Sequence, residues 1–472
     1  MIDLLFFCNI LINITLFHIT ALNNTIYCAI LSIIINKYES GALNMEQKPL
    51  RAVIIGGGHR SLVYAELAVL EPETMQIVGV ADPDSQRRSF IAEKFNIPTE
   101  HCFETAQELA KAEKFADIAI NGTMDDIHVE TTIPLLAAGY DVLLEKPFAV
   151  NEAEAKELVR AAKRYNRKVM VCFVLRYAPF YSGIKNEIVS DRIGEIINIQ
   201  TTEFVSYHHM STSHVRGKWN NSDRCHSSML LAKCCHDVDI MMWLMGDDKP
   251  AAVSSFGCNQ QFVLENAPEN SGMKCLVDCP LVDECLYSAK RIYIDHPDRW
   301  AFYVWDKLEG IENPTIEDKI DLLKGDSPYG VCAYKSDNNV VDHQSIIINF
   351  SSGATGTHNM VGGAATGRRT IHITGTKGEI YGEFESGKYT VSLIDPSPEC
   401  EHTDYIVDTS VSGDSHGGGD LGLMRDFIAY VKEEKASLSC TSIEDTVLGH
   451  LVVFLADKSR ENNGAVQVIS LD

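Results

Sequence analysis

The chain has 472 residues, of which 45% are hydrophobic and 22% charged, and its formal net charge is −24. This length is enough for two domains with sizeable cores, and the acidic balance argues against a nucleic-acid surface or a preference for anionic membranes.

Residues 1–44 are rich in Ile, Leu, Asn and Thr and carry no Lys or Arg before Lys37, so they lack the basic start of a secretory signal. Asn9, Asn13, His18, Asn23 and Asn24 break the apolar run of about 20 residues that a spanning helix needs. Met45 opens a short polar lead, Glu-Gln-Lys-Pro, before the first strand. The expectation is a start of translation at Met45, with a membrane anchor in residues 1–44 as the alternative.

From Leu50 to about Val174, short β-rich runs alternate with helical segments, which predicts a parallel sheet covered on both faces. The runs are Ala52–Ile55, Ile77–Ala81, Asp117–Ile120, Asp141–Leu144 and Lys168–Phe173. The first enters Gly56-Gly57-Gly58-His59-Arg60-Ser61, a place to hold a pyrophosphate. Gly56 permits the tight turn, Gly58 allows close approach of backbone to phosphate, and Ser61 stands where a third glycine is usual. The second run ends at Asp82, 24 residues beyond Gly58, where a carboxylate accepts from an adenosine ribose and repels a 2′-phosphate. NAD is therefore expected as cofactor in preference to NADP, on a Rossmann dinucleotide-binding domain spanning 45–174. The 14 cysteines then suit a reducing, cytoplasmic compartment better than a disulfide framework. Asn151, with Glu154 three residues on, predicts a capping box and a helix ending near Tyr165.

A second domain, 175–472, is expected to be α+β with an open, largely antiparallel sheet. Its predicted elements are a helix Pro179–Ser190, a strand Glu195–Tyr207, a helix Leu230–Leu244 and strands Ala252–Phe256, Gln344–Phe350, Ala354–Met360 and Arg369–Thr374. Asp420–Glu433 and Ser442–Arg460 read as helices. Residues 258–340 look inserted between two strands and hold most of the clustered cysteines. Cys275-x3-Cys279-x5-Cys285, with Cys332 farther on, could ligate a structural zinc, although the spacing departs from C-x2-C and buried free cysteines are the plainer alternative.

Two stretches could carry chemistry. Glu145-Lys146-Pro147 follows a strand and so lies at the carboxyl edge of the sheet, where Lys146 could stabilise a developing alkoxide; a surface lysine is the plain reading. Lys233 and His236 share a helix face, Asp239 can neighbour His236, and His236 could take a hydroxyl proton or be structural.

Taken together, the glycine turn at Gly56–Arg60, Val80-Ala-Asp82-Pro-Asp84, Asp125-Asp-Ile-His128 leading to Ala138-Gly139, Glu145-Lys146-Pro147, and Arg176-Tyr177 with Pro179 resemble the Gfo/Idh/MocA oxidoreductase family over about residues 50–470. The resemblance implies a Rossmann domain followed by a domain whose open sheet supports homo-oligomers. It also implies hydride transfer at a carbon of a small-molecule sugar, sugar derivative or cyclitol, with Lys146 and His236 catalytic and Lys233 and Asp239 beside them. It extends the cofactor contacts from Gly56, Gly58 and Asp82 to His59, Arg60, Thr123, His128, Glu145, Lys146, Pro147 and Arg176. One departure stands out: the family commonly has an aspartate four residues before the histidine, and this chain has Ala232, with Lys233 next to it. Two alternatives remain: glycoside cleavage by transient oxidation and elimination, and a nucleotide-binding sensor or scaffold without catalysis.

Overall fold

The computed structural model describes residues 48–311, 313–410 and 418–470, so the leader and its expected boundary at Met45 lie outside the described residues. Six strands form a wholly parallel sheet in the order β3-β2-β1-β4-β5-β6. They are β1 Leu50–Ile55, β2 Met75–Ala81, β3 Cys102–Phe103, β4 Ile118–Asn121, β5 Asp141–Leu144 and β6 Val169–Val171. This is the doubly wound nucleotide-binding order, which reverses between β1 and β4 and opens a crevice at their carboxyl ends. β4 is buried along its whole length and β1 and β5 along most of theirs, which is why they read as apolar runs without alternation. The two-residue β3 is too short to leave a sequence pattern and was not expected.

Helices α1 His59–Ala65, α2 Ser85–Phe95, α3 His128–Ala137 and α4 Glu152–Tyr165 belong to this half. The Asn151 side chain accepts from the Glu154 N–H at 3.0 Å, as the capping motif predicts. The returning Glu154 carboxylate reaches the N–H of Val150 at 3.3 Å, one residue before the cap.

The second half is built on a nine-stranded sheet in the order β14-β13-β12-β11-β7-β10-β9-β8-β15, antiparallel except for the β7–β10 pair. Its strands are β7 Ile196–Ser206, β8 Pro250–Cys258, β9 His343–Phe350, β10 Thr355–Ala364, β11 Arg368–Gly375, β12 Gly378–Glu383, β13 Lys388–Ile394, β14 His402–Asp408 and β15 Gln467–Val468. Helices α5 Pro179–Val189 and α6 Met229–Met245 pack into its core. β9 alternates buried and exposed residues, the mark of a sheet with one covered face. β12 to β15 were not anticipated: β14 has no buried residue and is held by backbone pairing, so it has no hydrophobic period to read.

Among the described residues, the segment 259–342 that separates β8 from β9 contains one nine-residue helix, Ile316–Lys324, besides short helical turns and one isolated bridge. Near the end, α7 Gly419–Val431 sends Leu423, Met424 and Phe427 into the core around Ile54 and Ile120 of the parallel sheet. α8 Ile443–Glu461 joins Val447 and Leu451 to the core around Val53 and Val142, while Val452 and Val453 join the core of the larger sheet. One helix thus contributes to both cores. No helix among the described residues is long and apolar enough to cross a membrane.

Candidate active site

The glycine turn lies at the point where the order of the parallel sheet reverses. Gly56 has φ +75°, and its N–H donates to Ala81 at 2.8 Å. A Cβ on Gly58 would meet no protein atom within 4 Å, so the backbone there is open to close approach. Ser61 takes the place of the third glycine by turning its hydroxyl onto the Gly56 carbonyl at 2.6 Å, and Gly122 leaves room for it: a Cβ there would sit 2.2 Å from Ser61 Oγ. Asp82 accepts from Gly57 N–H at 2.6 Å and from Asp84 N–H at 2.7 Å. Its carboxylate therefore braces the turn, and each oxygen keeps a lone pair for a ribose. These features fit a dinucleotide.

The other residues expected at the cofactor divide into two groups. His59 stacks on Phe302 at 4.4 Å, and Thr123 is held by Asn121 after β4. His128 is buried, its two ring nitrogens 2.7 Å from the Pro147 carbonyl and 3.0 Å from that of Thr123, so it ties the loop after β4 to the loop after β5. By contrast, Arg60 pairs with Glu145 at 2.9 Å and with Asp420 at 2.6 Å. Burial alone would raise the Glu145 carboxyl, but Arg60 and Lys146 outweigh it and hold it below the ordinary carboxylate range. Arg176 and Asp239 form a buried bidentate pair at 2.7 and 2.5 Å, which revises the expectation that Asp239 serves His236 and that Arg176 reaches a ligand. Both side chains are engaged with each other below the surface.

Lys146 donates from Nζ to the main-chain carbonyl of Ala232 at 3.0 Å. Ala232 lies one turn before His236 on α6, so lysine and histidine sit on one helix face. His236 is buried against the edge of Phe173, with ring centroids 5.6 Å apart. Lys233 pairs with Glu203 of β7 at 3.1 Å, and Arg369 of β11 joins Glu203 at 2.7 Å and Asp237 at 3.0 Å. Lys233 is thus one member of a buried ion network anchored in the larger sheet. Cys234, Asp237 and His358 also bring ligand atoms within 4.8 Å of one another, but the Arg369 cation already pairs with Asp237 there.

Several site residues carried no pattern that the sequence could show. His214 lies in a π-helical turn, Met210–Val215, is buried, and has no hydrogen-bond partner at Nδ1. Burial, then the charges of Lys233 and Lys146, push its imidazole down to about 3, so it is neutral at ordinary pH. His209 is lowered for the same leading reasons and stacks on Trp300 at 4.2 Å. Trp219 donates to Asp125 at 2.9 Å and meets the ring of Tyr303 at 5.8 Å. Burial, then Glu145, raise the Tyr303 phenol to about 12. The insert therefore lays Trp300, Phe302 and Tyr303 against the glycine turn and the histidines, and Glu309 against Arg87 at 3.4 Å. A run of aromatics at 300–303 in a region without period was the one available clue.

The four cysteines expected at zinc line one cavity, yet among the described residues no three of their sulfurs lie within 4.8 Å of one another. Thiolates around one zinc stand about 3.8 Å apart, given a Zn–S distance of about 2.3 Å, so this geometry does not support zinc.

Comparison with known proteins decides the family. The model of an oxidoreductase family with an NAD-binding Rossmann fold matches residues 50–173, and that of its C-terminal alpha/beta domain matches 185–468. The chain belongs to the Gfo/Idh/MocA oxidoreductase family. Among curated relatives of this family member, the putative oxidoreductase YteT of Bacillus subtilis is 25% identical over 369 residues, covering 74% of this chain and 81% of YteT. The trans-1,2-dihydrobenzene-1,2-diol dehydrogenase of Mus musculus is 30% identical over 193 residues, covering 40% of this chain and about half, 54%, of the mouse enzyme. Among solved structures, levoglucosan dehydrogenase in complex with NADH superposes with a TM-score of 0.64 at 18% identity, covering 90% of this chain and 100% of the other. An Agrobacterium radiobacter oxidoreductase in complex with NAD+, L-tartaric acid and magnesium gives 0.61 at 17%, covering 90% and 99%. At these identities the structural likeness speaks for the fold.

Proposed function

We propose that this oxidoreductase uses NAD to oxidise or reduce a CH–OH carbon of a sugar, sugar derivative or cyclitol. NAD, when bound, supplies the acceptor or donor of the hydride. Gly56, Gly58 and Asp82 hold its pyrophosphate and ribose ends, and His59, Thr123 and Pro147 border the same edge of the sheet. Lys146 stabilises negative charge on the substrate oxygen, and His236 accepts or returns the hydroxyl proton. The observation that carries this reading is the bond from Lys146 Nζ to Ala232, which holds the ammonium one turn from His236 at the carboxyl edge of the nucleotide-binding sheet. His214 offers its unpartnered Nδ1 to a second substrate hydroxyl, and Trp219, Trp300 and Tyr303 provide apolar faces against the ring. The names of levoglucosan dehydrogenase and of the rhizopine catabolism protein MocA, 24% identical over 198 residues, accord with a polyhydroxylated substrate.

The test is a panel of sugars, cyclitols and glycosides incubated with the protein and NAD, following NADH and any released aglycone together. NADH formation with a polyol supports the reading. Aglycone release without NADH would replace it with transient oxidation, and NAD binding without turnover of any polyol would favour a sensor.

A further inference from the structure

The 259–342 segment has little regular structure of its own, yet it positions the aromatics over the candidate site. Its own anchor is a small cavity lined by Cys275, Cys279, Cys285 and Cys332, with Leu281 and Tyr287. Two distant stretches are drawn together there by backbone pairing: Cys275 N–H donates to Gly330 at 2.9 Å, and Cys332 N–H to Met273 at 2.9 Å. The Asp278 carboxylate tightens the first loop by accepting from the Met273 and Lys274 N–H groups at 3.1 and 2.8 Å. All four thiols are free of disulfides.

A second observation concerns charge. Arg216 is fully buried, and its guanidinium donates to the Val331 carbonyl at 2.6 Å, Ser211 Oγ at 2.5 Å, the Tyr287 carbonyl at 2.6 Å and Cys275 Sγ at 3.8 Å. The Tyr293 ring lies 5.7 Å away. Among the described residues no carboxylate stands within ion-pair distance of it. A buried cation with only neutral acceptors is costly, and a negatively charged group at the sulfur cavity removes that cost.

We propose that Cys275, Cys279, Cys285 and Cys332 bind an iron–sulfur cluster that anchors the 259–342 insert. Thiolates on separate irons of a cluster stand farther apart than thiolates on one zinc, in keeping with sulfurs that do not converge within 4.8 Å. Four thiolates around an iron–sulfur core leave net negative charge beside Arg216, the counter-charge this guanidinium otherwise lacks. The role is structural: the centre fixes the loop that carries Trp300 to Tyr303, and no electron transfer is assigned to it.

The test is the full chain, produced with added iron and purified without oxygen, analysed for iron, acid-labile sulfide, zinc and visible absorption. About four irons and four sulfides per chain, with a visible band that bleaches on reduction, are expected. Cys285→Ser and Cys332→Ser should lose iron, and Cys258→Ser, an exposed cysteine outside the cavity, should keep it. Protein purified this way with no iron and four alkylatable thiols overturns the proposal, as does one zinc per chain without sulfide. If the serine variants fail to fold, the metal and sulfide content of the unaltered chain decides.

Discussion

Lys146 Nζ is bonded to the main-chain oxygen of Ala232, one helical turn before His236. Position 232 is where the family commonly carries an aspartate, and in this chain a backbone carbonyl orients the lysine instead, without adding a negative charge. The departure visible at Ala232 is therefore compatible with an ordered lysine–histidine site.

Replacing either residue separates chemistry from binding. Lys146→Met and His236→Asn are each expected to lower kcat by roughly 10²- to 10⁴-fold while the affinity for NAD changes little. Steady-state kinetics and NAD titration check this, and a kcat near that of the unaltered enzyme in both variants would refute the assignment.

His214 should act on substrate affinity. Its Nδ1 is buried without a partner, so His214→Phe removes a hydrogen bond to the substrate at little cost to the fold. KM is expected to rise about 10- to 100-fold with Tm unchanged or higher. An unaltered KM would remove His214 from the substrate contacts.

Arg176 and Asp239 make the opposite prediction. Asp239→Ala leaves a buried guanidinium unpaired and should destabilise the fold by about 3–5 kcal/mol. Urea denaturation measures this. A loss of turnover at unchanged stability would instead return Asp239 to the catalytic machinery.

The buried histidines should make the protein acid-sensitive. Burial, then Lys146, push His450 down to about 3, much as His214 is lowered, whereas both titrate near 6.5 when unfolded. Because the folded values lie below the unfolded ones, the unfolded chain binds the extra protons. Stability is complete above about pH 6.5 and falls as pH drops toward 3, by up to about 1.4 kcal/mol per unit for each histidine. Urea midpoints at pH 7, 6 and 5 should decline in the unaltered chain and less steeply in His450→Gln. Equal slopes would sink the account.

The open face of the larger sheet predicts self-association. Ile197, Phe256, Ile347 and Tyr381 are exposed on it, apolar side chains set among Gln200, Thr357 and His372 on a face that a second copy of the chain would cover. Ile347→Glu should convert an oligomer to smaller species in light scattering, and a monomeric unaltered protein would end the idea.

Much of this architecture could be read along the chain. Apolar runs bounded by glycine and acid specify a covered parallel sheet, because such strands need only local composition and a turn to be recognised. Gly56, Gly58, Asp82, the Asn151 cap and Glu145-Lys146-Pro147 were visible for the same reason: each works through a fixed short spacing. The sequence alone could not tell that Asp239 would turn to Arg176, 63 residues away, or that Lys146 would find a carbonyl 86 residues on. Nor could it bring His214, Trp300 and Tyr303 to one place, since neither the π-helical turn nor the stretch around 300–303 has a hydrophobic period. β14 escaped for a related reason, being held by backbone bonds with no face buried. Composition and spacing determined the nucleotide-binding half and the candidates for chemistry; which of those residues meet, and what roofs them, was decided by long-range packing around α6.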